Sequence, residues 1–151
     1  GPVKGHRWYV DESTGLETGG ALTYELVVVS PTVPLAVSLV WSDYPASPMA
    51  LEALVNDLDL VLEDEGGRRW LGGGGAEHDR INNVERLVLA DPAPGQYQLQ
   101  VRGHNVPFGP QPFALIADVG GWVVADRSYL PLVIGNRPPE RVYLPLLMRS
   151  D

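Results

Sequence analysis

The sequence contains no cysteine, only three histidines and no long uninterrupted apolar segment among its 151 residues. The absence of cysteine excludes disulfide bonds and thiolate metal sites. No charged segment followed by a long apolar run opens the sequence, so the pattern predicts neither a signal peptide nor a membrane span. From the start at Gly1-Pro2 we expect the interior of a longer protein.

Positive charge is also scarce, with Lys+Arg 11 against Asp+Glu 19 and a formal net charge of -8. Such a surface repels the phosphates of nucleic acids and the headgroups of anionic membranes, so neither is an expected partner. The excess of carboxylates suits a hard cation such as calcium. The length is sufficient for one domain with a sizeable core.

Glycine and proline are abundant, with 17 and 14 residues, and they separate short segments that are rich in strand-forming residues. Within these segments apolar residues recur at every second position: Tyr24, Leu26, Val28; Leu35, Val37, Leu39, Trp41; Leu58, Leu60, Leu62; Leu87, Leu89; Tyr97, Leu99, Val101; and Phe113, Leu115. Half-buried strands of this kind pair in antiparallel sheets. Six or more of them predict an all-β fold, an antiparallel two-sheet β-sandwich that is jelly-roll-like.

The sequence does not supply the residues for independent catalysis. Ser-His-Asp hydrolysis requires a serine, a histidine and a carboxylate that converge beside an oxyanion hole. The histidines are His6, His78 and His104, and no serine lies in a Gly-x-Ser-x-Gly elbow. The run from Gly72 to Gly75 lacks the Lys-Ser/Thr pair of a phosphate-binding loop. We therefore expect that this chain is not an enzyme.

Acidic and amide side chains in two segments form a candidate metal site. Asp57 and Asp59 are two apart on one predicted strand, so both side chains leave the same face. The second group lies around the start of a later strand and consists of Asp79, Asn82, Asn83 and Glu85. Calcium takes six to eight oxygen ligands, which the loops of a sandwich can gather. The alternative is a solvated acidic face followed by an Asx turn at Asn82. Zinc is not expected from scattered histidines without cysteine.

Several short motifs follow one another in an order that resembles a known family. They are Val10-Asp11-Glu12, Val40-Trp41-Ser42-Asp43 with Pro45, Leu54-Val55-Asn56-Asp57-Leu58-Asp59-Leu60, Asn82-Asn83-Val84-Glu85, Pro94-Gly95-Gln96-Tyr97, and the loop from Asn105 to Gln111 ending in Phe113-Ala114-Leu115. Together they resemble the C-terminal β-sandwich domain of secreted subtilisin-like (peptidase S8 family) serine proteases, which is related to the P domain of kexin- and furin-type proprotein convertases. The resemblance covers roughly Val10 to Val119.

The resemblance implies a non-catalytic accessory domain that stabilises a serine protease. Its partner would be an upstream subtilisin-like catalytic domain of the same polypeptide, in a secreted or cell-surface bacterial protein. Residues 1–9 would be the linker from that domain, and residues 10–120 the P-domain-like β-sandwich. The resemblance also strengthens the expectation of calcium, since such proteases often carry calcium in or near this domain.

Residues 121–151 are predicted to form a C-terminal tail with two Tyr-Leu-Pro-Leu repeats, which begin at Tyr129 and Tyr143. One interpretation is a pair of edge strands that cover the sandwich, with proline where no ladder donor is needed. The other is a sorting or attachment signal, because the second repeat resembles Tyr-Leu-Pro-Leu tails on secreted proteins of some filamentous bacteria. The two interpretations are compatible.

An alternative function is an extracellular module that binds carbohydrate or a protein substrate. Trp41 has the alternation of a core residue, whereas Trp8, Trp70 and Trp122 are candidates for exposed positions where sugar rings could stack. Three coplanar exposed rings on one sheet face would favour sugar binding. A flat apolar patch near the N-terminal linker would favour docking to a protease domain.

Overall fold

The computed structural model describes residues 5–49 and 54–124, with the backbone alone for residues 122–124. Within these ranges the chain forms strands and no helix, and therefore no helix that could cross a membrane. The strands are β1 His6–Leu16, β2 Ala21–Val28, β3 Leu35–Val40, β4 Asp57–Asp64, β5 Arg69–Leu71, β6 Val84–Leu89, β7 Gly95–Asn105, β8 Gln111–Val119 and β9 Gly121–Val124.

The strands form two antiparallel sheets. One sheet has the order β1-β8-β3-β6, and the other has the order β5-β4-β7-β2-β9. Apart from β4 and β5, which are neighbours in one sheet, successive strands from β1 to β8 alternate between the two sheets. β1 lies beside β8 and β2 beside β7, which is the arrangement of a jelly roll. The all-β two-sheet sandwich predicted from the alternating pattern is confirmed.

The core lies between the inner faces of the two sheets. It contains the predicted alternating residues, among them Tyr24, Leu26, Leu35, Leu39, Leu60, Leu99 and Leu115, which have no exposed surface. Full burial of one such side chain stabilises the fold by about 1.5–3 kcal/mol. Trp41 is also a core residue, as predicted, and its indole Nε1 donates a hydrogen bond of 2.9 Å to the backbone oxygen of Asn56.

The sandwich extends on both sides of the predicted bounds of 10–120. β1 begins at His6, before the predicted start of the sandwich. Its Trp8 packs against the core, with its ring centroid 5.1 Å from that of Tyr24. At the other end β9 reaches Val124 and pairs with β2. Both Tyr-Leu-Pro-Leu repeats of the predicted tail lie outside the described residues.

Buried polar side chains join the loops at one end of the sandwich. Asn56 donates from Nδ2 to the Phe108 backbone oxygen (2.9 Å) and to Gln111 Oε1 (2.8 Å). Gln111 donates in turn to the backbone oxygen of Ser42 at 3.0 Å. The carboxylate of Asp43 accepts from the Asn56 backbone N–H at 2.7 Å. Three loops that are distant in sequence are thereby held together without a disulfide.

Candidate functional site

The candidate site lies at a corner where one sheet edge is free. β5 pairs with β4 from Val61 to Glu63, so in the described structure the earlier residues of β4 have no strand partner on that side. Glu85, near the start of β6, takes that place, because its Oε2 accepts a hydrogen bond of 2.5 Å from the Leu60 backbone N–H. The backbone N–H of Gly72 donates to the Leu60 oxygen at 2.8 Å. A carboxylate from one sheet thus completes the edge of the other.

Glu85 is buried because it shares the inward face of β6 with Leu87. The residue is 0% exposed, and its Oε1 has no hydrogen-bond partner. Gly72 leaves room for the carboxylate, since a Cβ at this position would collide with Glu85 Oε2. A carboxyl group has therefore been placed where water does not reach it.

The pKa values of the site reflect this burial. Burial first, and then the charges of Asp59 and Asp57, raise the pKa of Glu85 to about 8, against the opposing effect of the Leu60 N–H. Burial likewise raises the pKa of Asp57, although Arg80 opposes this shift. At neutral pH the Glu85 carboxyl then holds its proton most of the time.

Asp57 and Asp59 leave the outer face of β4, as their spacing predicted, and both are nearly buried, with 7% and 5% exposed. The segment between β5 and β6 covers them. Its Arg80 places NH1 2.9 Å from Asp57 Oδ2 and also contacts both carboxylate oxygens of Asp59. One guanidinium thus pairs with two carboxylates and balances one of their two negative charges.

Two histidines complete the cluster. His78 Nδ1 lies 3.3 Å from Asp59 Oδ1, and His104 Nδ1 lies 3.8 Å from Asp59 Oδ2. One ligand atom each from Asp59, His78 and Glu85 lie within 4.8 Å of one another. The sequence prediction did not include His78 or Arg80, because they become neighbours of Asp59 only when the segment between β5 and β6 folds over β4. It also did not include His104, which comes near Asp59 through the pairing of β7 with β4.

The other predicted ligands have different partners. Asp79 Oδ1 accepts from the backbone N–H of Ile81 at 2.8 Å, and its Oδ2 accepts from Asn82 Nδ2 at 2.8 Å. The hydrogen bond from the Asn82 side chain has the largest effect, and together with that from the Ile81 backbone it lowers the pKa of Asp79. Asn83 Nδ2 donates to the backbone oxygen of Trp41 at 2.7 Å. Asp59 and Glu85 therefore come together, and Asp57 is linked to Asp59 through Arg80, whereas Asp79, Asn82 and Asn83 stabilise loops.

A groove of about 590 Å³ opens beside the cluster. Asp59, His78 and Arg80 line it from one side, and Arg102 and His104 of β7 line it from the other. Carboxylates and imidazoles are ligands of divalent cations, so the corner can hold an ion that enters through this groove.

The described aromatic residues do not form a platform on a sheet face. Trp8 and Trp70 are partly buried and pack against the core, which corrects the expectation that they are exposed. The side chain of Trp122 lies outside the described residues. The exposed rings of Tyr44 and Phe108 stack in the end loops, with their centroids 5.3 Å apart.

The outer face of the β1-β8-β3-β6 sheet carries an exposed apolar surface, which we call the apolar face. Large apolar side chains from all four strands contribute to it, interspersed with the polar Ser38 and Arg86 on the same face: Tyr9, Val40, Val84, Val88 and Ile116. On the same sheet, Arg7 is neutralised by Asp118 at 2.8 Å. The outer face of the other sheet is instead polar, with a row of Gln96, Gln98, Gln100 and Arg102 along β7.

By fold and site the chain is a jelly-roll β-sandwich with a carboxylate–imidazole corner. No protein-family model matches it. It is 32% identical over 132 residues to the serine protease/ABC transporter B family protein tagB of Dictyostelium discoideum, a match that covers 75% of this chain and 7% of that protein. It is 29% identical over 96 residues to the corresponding tagA protein of the same organism, with 56% and 6% covered. The chain thus matches a small part of much longer relatives.

Proposed function

We propose that this chain is a non-catalytic accessory domain of a secreted subtilisin-like serine protease and that it stabilises the catalytic domain of the same polypeptide. Two findings support the proposal. The similarity covers most of this chain but only 7% of a relative named as a serine protease, as expected for one module of a larger protein. The motif order from Val10 to Val119 resembles C-terminal domains of such proteases.

The observation that carries the proposal is the apolar face. Soluble monomers rarely expose large contiguous apolar surfaces, and such surfaces usually mark contacts with another protein. Its residue Tyr9 is the last residue of the predicted linker, and 66% of it is exposed. A flat apolar patch near the linker is the feature that favours docking to a protease domain over binding of sugar.

The mechanism is stabilisation by association. A domain that packs only on the folded catalytic domain shifts the folding equilibrium towards that state. A covalent linker raises the effective concentration of the two surfaces, so even a modest interface is occupied. Slower unfolding is an advantage outside the cell, where a protease is exposed to other proteases and its stability is set by the unfolding rate.

The test uses the catalytic domain and this chain in one polypeptide. Ile116→Arg and Val88→Arg place a charge on the apolar face, and Gln98→Arg places the same charge on the opposite face as a matched control. We expect the first two variants to shorten the half-life of peptidase activity at elevated temperature and the control to leave it unchanged. Equal half-lives for all variants would contradict the proposed docking.

A second candidate function is binding of a protein substrate. A groove of about 690 Å³ lies beside the exposed Tyr44 and is also lined by Pro110, Pro112 and Phe113. Grooves lined by aromatic side chains can bind extended, proline-rich peptides. The double variant Tyr44→Ala/Phe108→Ala should then bind casein more weakly than the parent chain does. A polysaccharide should bind neither the parent chain nor the variant.

Three further expectations stay predictions. Secretion and a bacterial source follow from the family resemblance, whereas the two relatives come from Dictyostelium. Absence of catalysis is checked by a serine-reactive phosphonate, which should label no serine of this chain. Calcium binding now depends on Asp57, Asp59 and Glu85, because the other predicted ligands make hydrogen bonds within loops.

A further inference from the structure

Three buried polar atoms without a hydrogen-bond partner lie in the carboxylate–imidazole corner. They are Asp57 Oδ1, His78 Nδ1 and Glu85 Oε1. Each buried polar atom that lacks a partner destabilises a fold by about 1–3 kcal/mol. Such atoms in native proteins are usually satisfied by an ordered water or an ion. The free oxygen of the fully buried Glu85 therefore requires a partner.

The distances fit an ion. His78 Nδ1 lies 3.3 Å from Asp59 Oδ1 and has no hydrogen-bond partner, while Arg80 NH1 contacts the same Asp59 oxygen. Zn²⁺ binds nitrogen and oxygen at about 2.0–2.2 Å, which places neighbouring ligands of a tetrahedral ion about 3.4 Å apart. This pair already has that spacing. One carboxylate oxygen of Glu85 lies within 4.8 Å of a ligand atom of Asp59 and of His78.

We propose that Asp59, His78 and Glu85 bind a divalent transition cation of the Zn²⁺ class. An imidazole with two carboxylates is a donor set for such ions, whereas calcium takes six to eight oxygens and seldom a nitrogen. The fourth position faces the groove, where water or His104 can reach it. The ion would fix the β5–β6 segment to β4 and β6.

The charges of the corner support a dication. Asp57, Asp59 and Glu85 carry three negative charges when ionised, and Arg80 supplies one positive charge. The two negative charges that are left equal the charge of one divalent ion. Arg80 competes with that ion for Asp59, but it can keep its hydrogen bond of 2.9 Å to Asp57 Oδ2 when the ion binds.

The test is a titration of the chelator-treated chain with Zn²⁺, with Co²⁺ as a spectroscopic probe and Ca²⁺ for comparison. We expect one saturable site for Zn²⁺ and a visible absorption band of Co²⁺ typical of four-coordinate sites. His78→Asn and Glu85→Gln should each weaken binding at least tenfold. Arg80→Gln should strengthen binding, because it removes the competing cation.

Matched controls keep the test specific. His6→Asn and Glu77→Gln remove an imidazole and a carboxylate outside the ligand set, and both should leave the affinity unchanged. His78 lies on the β5–β6 segment and outside the core, so its variant should fold even if Glu85→Gln does not. Unchanged Zn²⁺ affinity in His78→Asn, no saturable binding, or tighter binding of Ca²⁺ than of Zn²⁺ would overturn the inference. The accessory role is tested separately, at the apolar face.

Discussion

The backbone of Gly72 lies directly against the carboxylate of Glu85, and no side chain fits between them. The two residues come from the β5–β6 segment and from β6 itself. Both contact Leu60, whose N–H bonds to Glu85 and whose oxygen accepts from Gly72. The free edge of β4 is therefore closed by one residue with no side chain and one with a buried acid.

Replacement of Gly72 should destabilise the sandwich. In Gly72→Ala the new methyl group displaces the Glu85 carboxylate and leaves the Leu60 N–H without an acceptor, at a cost of about 1–3 kcal/mol. Gly66→Ala is the matched control, because its Cβ would meet only Asp64 Oδ1 at 3.4 Å. Chemical denaturation measures both free energies of unfolding. Similar losses in the two variants would contradict the role assigned to Gly72.

The stability of the metal-free protein should fall as the pH rises from about 5 to 8. The pKa of Glu85 is about 8 in the folded chain and about 4.3 in the unfolded chain. The folded state therefore binds this proton more tightly, and the stability it contributes is complete below pH 4.3 and lost as the pH approaches 8. At about 1.4 kcal/mol per pKa unit the loss is a few kcal/mol.

Glu85→Gln removes this titration, so its unfolding free energy in the presence of chelator should be flatter over the same range. Glu77→Gln, in the same segment but exposed, should keep the slope of the parent chain. Denaturant titrations at pH 5, 6.5 and 8 decide the matter. Parallel slopes for Glu85→Gln and the parent chain would show that another group controls the dependence.

Loss of the Asn56 amide should loosen the loops at the end of the sandwich. Asn56→Leu is similar in volume but leaves the Phe108 oxygen and N–H and the Gln111 side chain without this partner. We expect a loss of about 2–4 kcal/mol, since each unsatisfied buried group costs about 1–3 kcal/mol. The exposed Asn105→Leu is the control and should change the melting temperature little. A small shift for both would mean that water replaces the amide.

Truncations at the C-terminus should distinguish β9 from the tail. A chain that ends at Val124 retains β9, which pairs with β2 from Glu25 to Val28, whereas a chain that ends at Gly120 lacks it. We expect the shorter chain to unfold at a clearly lower denaturant concentration. If the chain ending at Val124 is already as unstable, residues 125–151 contribute to the sandwich and the sorting interpretation loses support.

The strands could be predicted because side-chain alternation reflects burial directly. The same alternation could have revealed Glu85, which shares a face with Leu87 and must be buried with it. Asp57 and Asp59 were placed correctly on one face of β4. The positions of His78 and Arg80 could not be predicted, because the path of a glycine-rich segment depends on tertiary contacts. Asp79 was predicted as a metal ligand, but its carboxylate accepts hydrogen bonds from the backbone N–H of Ile81 and from the side chain of Asn82 instead.

The pairing of β1 with β8 has a consequence for the order of folding. His6 is opposite Val119 and Leu16 is opposite Gln111, so nearly the whole described chain separates the partners. Folds with such distant contacts form slowly, in milliseconds to seconds, because long loops must close first. On the ribosome, β1 therefore has no strand partner until β8 has emerged. In a longer polypeptide, any domain ahead of β1 has time to fold before this sandwich closes.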